Sequence, residues 1–94
     1  MAKQTSYAHQ IQLLIDLKSY LNNLQDRLNH VSMQYWSKSN DISQAGMFEE
    51  TYSKFVQEYV YDTNQKIKDV VRQINERDIP FIEQQIAYLE SRPS

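Results

Sequence analysis

The chain has almost no residues that favour turns. Its 94 residues include one glycine, Gly46, and two prolines, Pro80 and Pro93. Average proteins contain roughly 7% glycine and 5% proline, and a protein of β-strands needs a turn about every 8–12 residues. Long helices with few connections suit this composition. We therefore predict an all-α fold in a single domain, residues 1–94.

The first part of the chain carries a heptad repeat of apolar residues. One row of the repeat consists of Tyr7, Leu14, Leu21, Leu28 and Tyr35, and the other row consists of Gln10, Leu17, Leu24 and Val31. Alternating spacings of three and four residues keep both rows on one side of a helix. The repeat predicts a first helix over about residues 5–36 that buries this stripe.

A polar segment separates this repeat from a second apolar pattern. Its Ser, Asn and Asp side chains compete with helical hydrogen bonds and favour turns, so we predict a connection over about residues 37–46. Asp41 with Gln44, and Gly46 with Glu49, are alternative starts of the next helix. The sequence does not choose between them. The second helix is predicted over about residues 47–78.

Pro80 interrupts the second helical pattern. Proline lacks a backbone N–H and its ring crowds the preceding turn, so we predict a kink there and a further helical segment over about residues 80–91. The two predicted helices, up to Pro80, each span roughly 45 Å at 1.5 Å per residue. Their equal lengths predict an antiparallel two-helix hairpin.

The predicted hairpin carries more large apolar residues than two helices cover. We therefore expect it to complete a four-helix bundle with another protein chain, as a homodimer or with a heteromeric helical partner. Trp36, at the predicted end of the first helix, is either an interface anchor or a cap on its own core. The candidate partner-binding residues are Trp36, Tyr35, Met47, Phe48, Ile11, Leu13, Tyr20, Tyr61, Phe81, Ile82 and Tyr88.

The sequence contains little that suggests catalysis. His9 and His30 are its two histidines, and about 30 Å of helical rise separates them, so they do not share a metal. The chain has no phosphate-binding glycine loop, dinucleotide fingerprint or nucleophile–base set. We expect no enzymatic activity, no cofactor and no small-molecule substrate.

Charge and hydropathy narrow the class of partner. The net charge is −2 and no basic cluster occurs, which disfavours nucleic acid. An apolar run long enough to span a membrane is missing, and the polar first residues do not resemble a signal peptide. Cysteine is absent, so no disulfide forms. We expect a cytoplasmic protein, or one that is secreted without a cleavable signal peptide.

The length, the two long helices, the mild acidity and the lone Trp36 at the predicted hinge resemble the WxG-type superfamily of small type VII secretion substrates and their partners. In that family a Trp-x-Gly motif forms the turn, and the proteins pair as four-helix bundles. The resemblance implies a secreted factor, or a helical partner that escorts a larger effector to its secretion machinery.

Two family features are missing. Trp36 is followed by Ser37 and Lys38 without the glycine, and Tyr88 is followed four residues later by Arg92, where the C-terminal export signature has an acidic residue. These departures favour a partner or targeting chaperone over an independently exported protein. The alternative function is a self-assembling structural coiled-coil module or an intracellular adaptor.

Overall fold

The described part of the chain is helical, which confirms the all-α prediction. The computed structural model describes residues 2–44 and 49–92, with the side chains of residues 7–42 and 50–92, and only Arg92 is non-helical among them. Helix α1 spans Ala2–Gln44. The elements after it are α2 (Glu49–Phe55), a first π-helical segment (Val56–Val60), α3 (Tyr61–Gln73), a second π-helical segment (Ile74–Asp78) and α4 (Ile79–Ser91).

Helix α1 is longer than the sequence predicted. Residues 37–44, predicted as connection, are helical, so Trp36 lies within the helix and not at its end. No glycine or proline interrupts this stretch, and helix propensity is a weak signal that packing overrides. Ser39 supplies such packing, since it is 4% exposed. The remainder of the predicted connection, Ala45 and Gly46, lies outside the described residues.

The contacts of the chain define two units. The terminal unit comprises Met1–Gln25 and Arg72–Ser94, and the central unit comprises Asp26–Val71. In the terminal unit, Lys18 pairs with Glu83 and Tyr7 contacts Arg92, so α1 and α4 run antiparallel. Among the described residues of this unit the buried apolar side chains are three isoleucines that are 4–7% exposed, Ile74, Ile79 and Ile82, and they form its core. Full burial of one such side chain contributes about 1.5–3 kcal/mol.

The central unit is also an antiparallel helix pair, but its buried residues are mainly polar. Val60 is fully buried, while Ser32, Ser39 and Asn64 are the buried polar residues of the described chain. Ser32 Oγ donates a 2.8 Å hydrogen bond to Asn64 Oδ1. This hydrogen bond replaces the bonds to water that the hydroxyl and the amide lose on burial, so contact between α1 and α3 at this point has a small desolvation cost.

The second helix is kinked, as predicted from Pro80. The Ile79 N–H bonds to the carbonyl of Ile74, five residues earlier, and α4 begins with Ile79 and Pro80. A proline ring crowds the carbonyl four residues before it, here that of Glu76, and the wider π turn relieves this crowding. The deviation therefore starts one turn before the proline. It also brings Ile74 and Ile79 into the same core.

The first π-helical segment has no proline to explain it. The Tyr61 N–H bonds to the carbonyl of Val56, so this turn contains one residue more than an α turn. On the surface of this region, the Phe55 ring lies 5.5 Å from the rings of both Tyr52 and Tyr59. Phe55 and Tyr59 are 38% and 61% exposed, so this row of rings lies largely at the surface.

Helix α1 uses a different second row from the predicted one. The buried and half-buried residues that repeat with spacings of four and three are Tyr7, Ile11, Leu14, Lys18, Leu21, Gln25, Leu28, Ser32, Tyr35 and Ser39. The row headed by Tyr7 is thus confirmed. In the other predicted row, Leu17 and Val31 are 45% and 51% exposed. The polar residues Lys18 and Ser32 face the second helix instead, because Glu83 and Asn64 bond to them.

Candidate functional site

The terminal unit carries a set of large apolar residues that its own helices leave uncovered. On α1, Leu13, Leu17 and Tyr20 are 54%, 45% and 55% exposed, and on α4, Phe81 and Tyr88 are 59% and 54% exposed. We call these five residues the apolar face. Single exposed apolar residues are ordinary, but a contiguous patch of them marks an interaction surface.

Helical geometry places the five residues on one side of the helix pair. At about 100° per residue, Leu13, Leu17 and Tyr20 share one side of α1, and Phe81 and Tyr88 share one side of α4. Since the helices are antiparallel, these two sides coincide. The 3.0 Å ion pair between Lys18 and Glu83 joins the two helices at the other edge of their contact, and Ile15, which is 43% exposed, lies beyond that edge on the opposite side.

The apolar face has few charges. By the same helical rotation, the positions between its members are the uncharged Gln10, Leu24 and Gln85. Charged residues are depleted at the centres of protein interfaces, where aromatic residues are enriched. The chemistry of this side therefore suits an apolar protein surface.

Arg92 fixes one end of the apolar face. Its guanidinium carbon lies 5.3 Å from the centroid of the Tyr88 ring and 5.6 Å from that of the Tyr7 ring. Its Nη1 also donates a 2.9 Å hydrogen bond to the Tyr88 hydroxyl. These contacts hold the Tyr88 ring in place, and an aromatic side chain that is already ordered loses less entropy when it binds.

The central unit has a separate groove between α1 and α3. Trp36, Met33 and Tyr61 form its walls, and the hydrogen-bonded pair of Ser32 and Asn64 lies at its floor. The cavity measures about 340 Å³. Trp36, Met33 and Tyr61 are 48%, 72% and 56% exposed, so the groove is open to solvent along its walls. Gln65 and Lys68 complete its lining.

The structure distributes the predicted candidate residues among three environments. The exposed ones are Leu13, Tyr20, Phe81 and Tyr88 in the terminal unit, and Trp36 and Tyr61 in the central unit. Ile11 and Tyr35 are half-buried in the stripe of α1. Met47 and Phe48, also predicted as partner-binding residues, lie outside the described residues.

Ile82, also predicted as a partner-binding residue, lies in a different environment from its neighbour Phe81. Its side chain is 6% exposed and belongs to the core of the terminal unit. The sequence could not separate it from its neighbour Phe81, because the π-helical segment shifts the register of everything that follows. Ile74 and Ile79 share one core although they are five residues apart. Ile82, three residues after Ile79, lies on the same side of the helix and is buried, whereas Phe81 is exposed.

Three surface residues escaped the sequence prediction: Leu17, Met33 and Lys68. Leu17 was taken as core because it occupies a heptad row. Met33 lies off both predicted rows, and Lys68 is one of several lysines on the second helix. Antiparallel pairing of the two predicted helices places the α3 segment beside Trp36. This pairing could have indicated Lys68 as the positively charged residue near the tryptophan.

The described residues give no sign of a metal centre. Within residues 2–44 and 49–92, no three His, Cys, Asp or Glu side chains come together as metal ligands would, and His9 and His30 are exposed on α1. Nor does any helix in these ranges have the length and apolarity to cross a bilayer.

Comparisons with protein-family models, with curated proteins and with solved structures find no match to this chain.

Proposed function

We propose that this chain is a non-catalytic helix-binding accessory protein, and that the apolar face is the surface that receives the partner. The observation that supports the proposal most directly is the exposure of Leu13, Leu17, Tyr20, Phe81 and Tyr88 on one side of a helix pair. Helix pairs with such a side are ordinarily completed by one or two further helices. The partner is accordingly an amphipathic helix or a helical hairpin.

The size of the apolar face fits a specific but modest interface. Buried aromatic side chains contribute 150–250 Å² each, so five half-exposed large residues offer roughly 500 Å². Counting both partners gives about 1,000 Å², which is near the lower limit for specific protein complexes. The five residues therefore suffice for recognition, and further contacts would strengthen it.

The resemblance to the WxG-type superfamily suggests which kind of protein the partner is. In this proposal the chain pairs with a secreted effector and guides it to its secretion machinery. The missing acidic residue four positions after Tyr88 supports co-export or retention, because the chain lacks an export signature of its own in the family position. Cytoplasmic residence before export fits both outcomes.

A self-assembling structural module is the second candidate. Leu17 and Val31 are exposed on α1 at 45% and 51%, and they belong to a row with heptad spacing. Heptad rows of this kind associate with copies of themselves in coiled coils. An intracellular adaptor would use the same surfaces with a different partner.

A double variant on the apolar face and a single variant on the opposite side distinguish these functions. The first, Leu17→Ser with Phe81→Ser, removes apolar surface from the apolar face, and the second, Ile15→Ser, removes it from the opposite side of the same unit. Each protein is purified from its source cells with its partners, and its mass is measured by light scattering.

The helix-binding proposal expects a hetero-oligomer for the native chain and for Ile15→Ser, and loss of the partner for Leu17→Ser with Phe81→Ser. A homo-oligomer that dissociates only in the double variant favours the structural module. A monomer that recovers no helical partner at any concentration would overturn both.

A further inference from the structure

The groove of the central unit has the composition of a binding site in its own right. Its walls are an indole, a phenol and a thioether, from Trp36, Tyr61 and Met33, and its floor is the buried pair Ser32–Asn64. At about 340 Å³ it is at the small end of the range for ligand sites. One large side chain, with part of the backbone that carries it, fills such a volume.

The groove exists because small or polar residues replace bulky ones where the two helices meet. Ser32 leaves space that a leucine in the same row of α1 would fill, and Asn64 satisfies its hydroxyl. The large residues Trp36 and Tyr61 stand beside this space and do not close it. They remain about half exposed.

Lys68 gives the groove a charge. It lines the cavity and, within the part of the chain that the structure describes, it forms no ion pair or hydrogen bond. Its neighbour Lys66 differs, because it lies 3.1 Å from Asp62. A carboxylate supplied from outside would therefore meet an unpaired ammonium group next to an aromatic wall.

We infer that the groove binds an acidic amphipathic helix of a partner protein, which places a large aliphatic side chain between Trp36 and Tyr61 and a carboxylate on Lys68. The open walls favour this occupant, since pockets for small molecules enclose most of their ligand whereas a groove between helices accepts the apolar side of another helix. The inference deepens the proposed function, on which it rests, by naming the chemistry of one partner segment.

The single tryptophan of the chain, Trp36, reports occupation of the groove. The probes are two stapled 18-residue helical peptides without Trp or Tyr. The acidic peptide carries Leu followed four residues later by Glu, and the basic peptide has Lys in place of Glu. Binding shields the indole from water, so a saturable shift of Trp36 emission to shorter wavelength is expected.

The charge of Lys68 sets the order of the two affinities. The native chain should bind the acidic peptide about two- to fivefold more tightly than the basic one, as an exposed ion pair allows. Lys68→Glu should reverse this order, and the control Lys66→Glu, on the same helix but outside the groove, should leave it unchanged. Circular dichroism checks that each variant folds.

Other outcomes overturn the inference. If neither peptide shifts the Trp36 emission at millimolar concentration, the groove does not bind a helix. If Lys68→Glu leaves the ratio of the two affinities unchanged, the groove does not select an acidic helix. Saturation by octanoate but not by the peptides would assign it to a small carboxylate. The double variant Leu17→Ser with Phe81→Ser should bind the peptide normally, so failure of the apolar face and failure of the groove are separable.

Discussion

Ser32 and Asn64 form a buried side-chain hydrogen bond, with Ser32 Oγ donating to Asn64 Oδ1 over 2.8 Å. Both residues are 8% exposed, and they belong to α1 and α3, thirty-two positions apart in the chain. A buried polar pair of this kind fixes the relative positions of two helices, because sliding one helix would leave both groups without partners. In the central unit it stands where a purely apolar layer would otherwise be expected.

Breaking this pair on one side should destabilise the protein more than replacing it entirely. Asn64→Leu leaves the buried Ser32 hydroxyl without its partner, and we expect the free energy of unfolding to fall by about 1–3 kcal/mol. Ser32→Ala combined with Asn64→Leu removes both polar groups, so much of the loss should be recovered. Urea unfolding of the two single variants and the double variant measures the coupling. Strictly additive effects would show that the two groups do not stabilise one another.

The neighbours Ile82 and Phe81 should respond very differently to truncation. Ile82 is 6% exposed and Phe81 is 59% exposed, although both are large apolar residues at the start of α4. Ile82→Ala should lower the free energy of unfolding by about 2–5 kcal/mol, as for other buried isoleucines. Phe81→Ala should cost far less. Thermal and urea unfolding measure both losses. A larger loss for Phe81→Ala than for Ile82→Ala would refute the observed register.

The fold class and the kink could be predicted because they rest on local properties. One glycine and two prolines leave few places for a helix to end, and Pro80 has the same steric effect in any helix. The length of α1 could not be predicted from residues 37–44, since their weak preference for turns yields to the burial of Ser39. Helix ends in general depend on such contacts.

The candidate surfaces were harder to predict than the fold. Two apolar stripes are possible on α1, and both contain the row of Tyr7, Leu14 and Leu21. The second row of one stripe contains Leu17, and that of the other contains Lys18. Apolarity alone selects Leu17, but the structure selects Lys18 because Glu83 is there to pair with it. Only knowledge of the facing residue decides, and a single sequence does not state which residues face each other.

Exchanging the charges of Lys18 and Glu83 tests the pairing of α1 with α4. The side chains of this 3.0 Å ion pair are 36% and 52% exposed, so its contribution should be below about 1 kcal/mol. Lys18→Glu should destabilise the protein by placing two carboxylates together, and adding Glu83→Lys should restore most of the loss. The difference should shrink in molar salt. If Glu83→Lys fails to rescue Lys18→Glu, these two positions are not neighbours in solution.

The first π-helical segment should tolerate the loss of one residue, whereas α3 should not. In the segment Val56–Val60 a hydrogen bond reaches back five residues, from the Tyr61 N–H to the Val56 carbonyl, so deletion of the exposed Gln57 converts this turn into an ordinary α turn. The residues before and after it then keep their sides of the helix.

Deletion of Lys66 provides the matched control. This residue is also exposed, and its deletion removes only a surface pair with Asp62, which contributes about 0.3–0.5 kcal/mol. However, it lies within a regular α-helix, so its removal rotates every following residue by about 100° relative to those before it. Circular dichroism and urea unfolding should show a native-like protein for the Gln57 deletion and a strongly destabilised one for the Lys66 deletion. If both deletions lowered the free energy of unfolding equally, the packing of the protein would require the extra residue of the π turn.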